Sequence, residues 1–183
     1  MIVVDTNVLS EFMRPQPAPQ VVRWLETAQS SALALTAVSV MEITYAVARL
    51  PAGRRQKATR DLWEGIQAAW TGTFLAIGMA ESVAAGEVLG ARAAIGRPMA
   101  TADAQLAGVC LAWGAALATR NTRDFEGLGI ELINPGDSRP PPRLVPPMTP
   151  WEDPPHDDDS DDPHEPGRYP RNPVRRPGTQ DGA

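Results

Sequence analysis

The chain of 183 residues contains a single cysteine, Cys110, so it has no internal disulfide. That thiol sits in the apolar run AQLAGVCLAWG, where it reads as a small buried side chain suited to a reducing compartment. Histidine is nearly as scarce. Both copies, His156 and His164, lie near the C-terminal end, which leaves the rest of the chain without a Cys/His set for zinc. No apolar stretch reaches the roughly 18–20 residues that cross a bilayer. The N-terminus has no basic segment, and Asp5 interrupts the first apolar run, so no secretory signal is expected and the protein is expected to be cytoplasmic. No GxGxxG follows a strand, which excludes a dinucleotide-binding oxidoreductase. Positive charge is not in excess either: 17 Lys and Arg face 22 Asp and Glu. Binding DNA through bulk positive charge is thereby excluded, whereas handling one phosphodiester in a local site is not.

What is present divides sharply near Pro135. Residues 135–183 hold 14 of the 19 prolines, and residues 136–183 hold ten acidic against six basic side chains. That segment has few apolar residues and no periodicity, so it cannot bury enough surface to offset its ordering entropy. The sequence predicts a folded domain over 1–135 and a disordered, acidic, proline-rich tail over 136–183. The domain is close to neutral, with 12 acidic and 11 basic residues.

Within the domain, short apolar runs alternate with helical patterns. Strands are expected at 2–4, at 32–35, in TFLAIG, at 116–119 and at 130–133. Helices are expected over 6–14, in PQVVRWLETA, over 37–50, over 52–71 with Leu62, Ile66, Ala69 and Trp70 on one face, in AESVAAGEVLGARAAIG, and from an N-cap at Thr101 to Trp113. Strands alternating with helices predict an α/β fold with a mainly parallel sheet covered on both faces. In such sheets, sites form at the carboxyl ends of strands. Asp5 ends one strand, and Asp124 follows another in the loop after ALATRN.

Two further acids stand out. Glu42 shares a helix face with Val38, Tyr45 and Ala46, a face expected to be buried. Asp103 lies in the first turn of its helix, where the dipole stabilises a carboxylate by about 0.3–1 kcal/mol. Each of the four acids has an ordinary structural role when taken singly. Together they form a chemical proposition. Close carboxylate pairs repel by about 4 kcal/mol at an effective dielectric near 20. A cluster therefore persists when a divalent cation neutralises it or when some members are protonated. All-oxygen ligands point to Mg²⁺ or Mn²⁺, and the corresponding chemistry is metal-assisted attack of water on a phosphodiester.

The segments MIVVDTNVLSEF, TAVSVMEI, GRPMATADAQLAG and LATRNTRDFEGLGIELINP resemble the four blocks of the PIN-domain nucleases, and in particular the VapC toxins of type II toxin–antitoxin modules in the FitB-like group. The resemblance covers residues 1–135. It implies a PIN-like three-layer α/β/α sandwich, a Mg²⁺- or Mn²⁺-dependent endoribonuclease acting on RNA, a VapB-type antitoxin partner and a homodimer. By position, the family's acids fall on Asp5, Glu42, Asp103 and Asp124, with Asp5 and Asp103 as the firmest metal ligands. Thr6 and Asn121 match the polar residues that hold ligands or water by hydrogen bonds. The tail is outside the family pattern.

Arg54, Arg55, Lys57 and Arg60 are grouped in GRRQKATR, either as a solvated helix face or as a contact for RNA or the antitoxin. Arg97 belongs either to a structural loop or to the rim of the site. Phe12, Val22, Trp24 and Leu25 suit core packing or a groove for an antitoxin helix. Two rival enzyme classes fail on single residues. Haloacid-dehalogenase-like phosphatases need an Asp where this chain has Asn7. Response-regulator receivers need a lysine near the end of the domain, and the only lysine is Lys57. The remaining alternative is a non-catalytic PIN-type module that binds RNA or protein.

Overall fold

The computed structural model describes residues 1–28 and 30–137. From residue 138 onward the expected disordered tail (136–183) lies outside the described residues. Among the described residues, five strands form one sheet: β1 (Ile2–Val4), β2 (Leu33–Thr36), β3 (Thr73–Leu75), β4 (Ala116–Ala118) and β5 (Leu132–Ile133). All neighbours are parallel, in the order β3-β2-β1-β4-β5. Among the described residues, seven α-helices connect them: α1 (Thr6–Leu9), α2 (Pro19–Thr27), α3 (Ala37–Ala48), α4 (Arg54–Ala69), α5 (Met79–Ala94), α6 (Thr101–Trp113) and α7 (Thr122–Phe125).

The two-residue period of the strands creates the layers. Ile2, Val4, Leu33, Leu35, Ala116 and Ala118 face one side and pack with Val8, Val21, Trp24, Ile43, Val47 and Trp63. Val3, Ala34 and Leu117 face the other and pack with Val88, Leu106, Val109, Cys110 and Phe125. The result is the expected three-layer α/β/α sandwich. Among the described residues, no helix is long and apolar enough to cross a membrane.

Several local expectations are corrected. The first helix stops at Leu9, and Ser10–Met13 winds as a tighter 3-10 turn, which coincides with Glu11 being turned into the interior. On α4 the buried residue is Trp63, whereas Leu62 is 42% exposed and Ala69 is exposed. Ile66 and Trp70 pack against the core as expected, so the difference is that Trp63 takes the inward place of Leu62 while Ala69 faces out. The N-cap of α6 is Ala100, with Thr101 already helical. The core face of α3 is Val38, Ser39, Ile43 and Val47, so Tyr45 and Ala46 point outward and Glu42 is only half-buried at the edge of that face. Asp124 lies in the single turn α7, not in an irregular loop.

The chain runs from β1 outward through β2 to β3, then returns to add β4 and β5 on the opposite side of β1. The carboxyl ends of β1 and β4 thus flank the point where strand order reverses, which is where open α/β sheets form their crevice.

Candidate active site

Asp5 follows the last residue of β1, and its backbone N–H donates to Ala118 O of β4 at 3.0 Å. The side chain is buried and held from three directions. Thr119 donates its hydroxyl to Oδ2 at 2.6 Å, Asn7 Nδ2 donates to Oδ2 at 2.6 Å, and the Asn7 backbone N–H donates to Oδ1 at 3.3 Å. Burial raises the Asp5 pKa above its ordinary value, and the Glu42 carboxylate adds to the rise. The bonds from Thr119 and Asn7 work against it.

The other three acids come from separate elements. Glu42, on α3, accepts from the Thr6 hydroxyl at 2.7 Å. Asp124, on α7, accepts from Asn121 Nδ2. Asp103, in the first turn of α6, is half-buried, and its pKa is raised to about 6, first by burial and then by the charges of Asp5, Glu42 and Asp124. All three other carboxylates therefore act on Asp103. The fold brings the four acids to one end of the sheet.

The residues that hold this group include several whose part is not evident from spacing. The Thr119 hydroxyl donates to Asp5 and also accepts from Asn7 Nδ2 and Asn121 N, both at 3.0 Å. Arg120 N donates to Asn7 Oδ1 at 3.1 Å. The Arg120 guanidinium binds Glu11, a carboxylate that is 1% exposed. Glu11 also pairs with Arg14 at 3.2 Å and accepts from Ala18 N at 2.8 Å. On the other flank, the buried Arg92 donates through Nη2 to Asp124 O at 2.6 Å and Glu126 O at 2.8 Å. A signal for Thr119 did exist, since it follows β4 as Asp5 follows β1. Glu11 and Arg92 carry no local mark, because each sits in a helical pattern like any solvated charge.

A family model of the PIN domain matches residues 2–130. The chain belongs to the PIN-domain family. Its similarity to particular relatives extends over nearly their whole length. The plasmid stability protein StbB of Pseudomonas syringae pv. tomato is 34% identical over 139 residues, covering 75% of this chain and 100% of that protein. The VapC ribonuclease Y4jK of Sinorhizobium fredii is 32% identical over 136 residues, covering 74% and 97%. Toxin FitB of Neisseria gonorrhoeae is 29% identical over 136 residues, covering 74% and 98%. The crystal structure of FitAcB from that organism superposes with a TM-score of 0.66 at 28% identity, covering 74% of this chain and 98% of its own.

The remaining candidate residues of this PIN domain are distributed unevenly. Arg97 is exposed and donates to Arg123 O at 3.3 Å. With Arg92, Asp103 and Asp124 it lines a cavity of about 260 Å³, to which Pro98, Met99 and Ala100 also contribute. Arg54, Arg55, Lys57 and Arg60 lie exposed on α4, with Lys57 paired to Asp61 at 3.0 Å. None of those four lines that cavity. Trp24 is in the core and Leu25 packs against it, while Phe12 and Val22 are partly buried.

The donor set suits a hard divalent cation in both charge and chemistry. Three carboxylates act on Asp103, whose pKa is raised to about 6 first by burial and then by their repulsion, the part that a cation would relieve. Their spacing is more open than a closed ligand cage. Among the described residues, no group of three or more His, Cys, Asp or Glu side chains stands ready around one point. Binding one ion through several of these acids therefore requires side-chain movement.

Proposed function

We propose that this PIN domain, spanning residues 1–135, is a cytoplasmic, Mg²⁺- or Mn²⁺-dependent endoribonuclease and the toxin of a type II toxin–antitoxin pair. The observation that carries the reading is that Asp103, at the start of α6, lies within electrostatic reach of Asp5, Glu42 and Asp124, three carboxylates from separate elements. The names of its relatives, a VapC ribonuclease and a toxin, agree with it. The domain boundary is supported by the family match, which ends at residue 130.

Asp5 and Asp103 would hold the cation, with Glu42 and Asp124 completing the metal and water positions. The ion would supply a more acidic bound water and stabilise charge on the phosphate oxygens. The chain's own residues set the geometry. Thr119 and Asn7 fix the Asp5 carboxylate in one orientation, so the movement needed to share one ion would fall to the less buried Asp103 and Asp124. Thr6 does the same for Glu42 through Oε2, and in this reading Glu42 takes the proton of the attacking water at Oε1. Asn121 orients Asp124. In the resting module, a VapB-type antitoxin would cover this end of the sheet, and two toxin chains would pair as a homodimer.

The test is cleavage of structured RNA by antitoxin-free protein in Mg²⁺ or Mn²⁺, beside EDTA and Asp5→Asn controls. The expected result is cleavage that needs both metal and Asp5 and leaves 5′-phosphate and 3′-hydroxyl ends. Cleavage that survives EDTA or Asp5→Asn overturns the proposal. Intact RNA in the presence of a folded, metal-binding protein favours a non-catalytic binding module.

A further inference from the structure

The cavity beside the acids is lined by groups of both signs, the carboxylates of Asp103 and Asp124 and the guanidinium groups of Arg92 and Arg97. Arg92 is 4% exposed, and its Nε has no hydrogen-bond partner. Its Nη2 is occupied by the carbonyls of Asp124 and Glu126, which satisfy donors without neutralising the charge. Among the described residues, no carboxylate forms an ion pair with Arg92 or Arg97. A cation buried to that degree with a spare donor is costly unless an anion completes it.

The start of α6 lines the same cavity. Ala100 occupies the N-cap and lines the cavity, and it has no side chain with which to accept from the first turn. Ser, Thr, Asp or Asn is the usual occupant because it satisfies one of those N–H groups. The first turn of this 13-residue helix, which also carries Asp103, therefore keeps uncapped N–H donors and a positive dipole end at the cavity that Arg92 and Arg97 line.

We propose that this cavity is a phosphate subsite, in which Arg92, Arg97 and the first turn of α6 hold the RNA backbone phosphate next to the one at the four acids. The inference rests on the nuclease reading for what those acids do. Its size is consistent with this role. At about 260 Å³ the cavity falls below the roughly 300–1,000 Å³ of sites for whole small molecules, and it suits a phosphate with part of its ribose. A guanidinium offers the paired donors that phosphate oxygens accept. A polynucleotide carries negative charge at every backbone step, so a strand with one phosphate at the acids presents the next within reach. The subsite reads backbone and not base, so it confers strand positioning without sequence preference.

The experiment uses the full-length chain in EDTA, where no metal-dependent cleavage competes. Binding of a short, fluorescently labelled single-stranded RNA is followed by anisotropy across a series of salt concentrations. Each phosphate contact contributes about 0.7 to the slope of log K against log salt on single strands. Arg97→Gln is expected to weaken binding and flatten the slope by about that amount, and Arg92→Gln to do the same. Arg92→Lys keeps the charge and is expected to restore the slope, even if both Arg92 variants melt earlier. A purely structural Arg92 predicts equal slopes for the two variants, and that result overturns its part. If neither Arg92 variant folds, the slope of Arg97→Gln decides alone. An unchanged slope in Arg97→Gln, or a wild type that does not bind RNA, overturns the subsite. So does an Arg97→Gln chain that binds RNA normally but loses a co-purifying acidic protein, since the cavity then takes carboxylate. The nuclease reading fails separately. Wild type that binds with the arginine-dependent slope yet leaves RNA intact in Mg²⁺ or Mn²⁺ keeps the subsite and removes the nuclease.

Discussion

Thr119 donates its hydroxyl to Asp5 at 2.6 Å across 114 positions of sequence, joining the tip of β4 to the tip of β1. The same oxygen accepts from Asn7 Nδ2 and Asn121 N, so one buried hydroxyl ties three polar groups together. Replacing it with an isosteric methyl leaves two donors without an acceptor and Asp5 without one donor. Thr119→Val is expected to cost about 1–3 kcal/mol of stability in a urea titration. It should also raise the Asp5 pKa further, because the Thr119 bond is the strongest influence holding it down. The acidic limb of the cleavage–pH profile would then move upward, and an unmoved limb would show that Thr119 only supports the fold.

Asp103 provides a stability signature that does not depend on activity. Burial and its three acidic neighbours raise it from 3.8 to about 6. Between those values the folded chain retains a proton that the unfolded chain has released, so this group's contribution to stability is lost as pH rises through that window. In EDTA, Asp103→Asn is expected to melt level with wild type near pH 4. Its advantage should grow up to about pH 6 and stay constant above. Mg²⁺ should shrink the advantage by neutralising the cluster. A gain that does not change with pH would mean that neither burial nor the neighbouring acids raise the Asp103 pKa.

Glu11 is a carboxylate in the interior that faces two arginines and a backbone N–H. Glu11→Gln keeps the volume and removes the charge. We expect a loss of about 1–3 kcal/mol, since Arg120 is then left with a weaker acceptor. Because Arg120 N also donates to Asn7, the change should loosen the support of Asp5 and reduce cleavage. A double-mutant cycle with Arg120→Met measures the coupling directly, and additive effects would disprove the pairing.

The packing of α5 on α6 depends on Gly108. A Cβ there would lie 2.4 Å from Glu81 O and 2.7 Å from Ala85 N. Both are backbone atoms of α5 and cannot rotate aside. Gly108→Ala should therefore destabilise despite the better helix propensity of alanine, by about 1–3 kcal/mol as overpacked sites do. A variant as stable as wild type in guanidinium titration would mean that the two helices sit further apart.

Much of the architecture was legible because it depends on local periodicity. The alternation Ile2, Val3, Val4 assigns residues to opposite faces of the sheet, and the structure packs them accordingly. The misreadings share one cause. On α4 the choice between Leu62 and Trp63 is a rotation of about 100° about the axis, and only the neighbouring elements set it. Tyr45 looked internal for the same reason. Thr101 resembled a cap, but the chain enters α6 one residue earlier, at Ala100.

Sequence by itself determined the layered α/β fold, the strand-tip position of Asp5 and the acidic character of its surroundings, since propensity, pattern and charge act over a few residues. Tertiary structure alone decided that Thr119 meets Asp5, that Glu11 is internal and paired with Arg120, and that Arg92 lies buried behind Asp124. Those contacts join residues 32 to 114 positions apart. The first two follow from strand order and parallel register, which place β4 against β1, and the third from the packing of α5 against α7, none of which local spacing encodes.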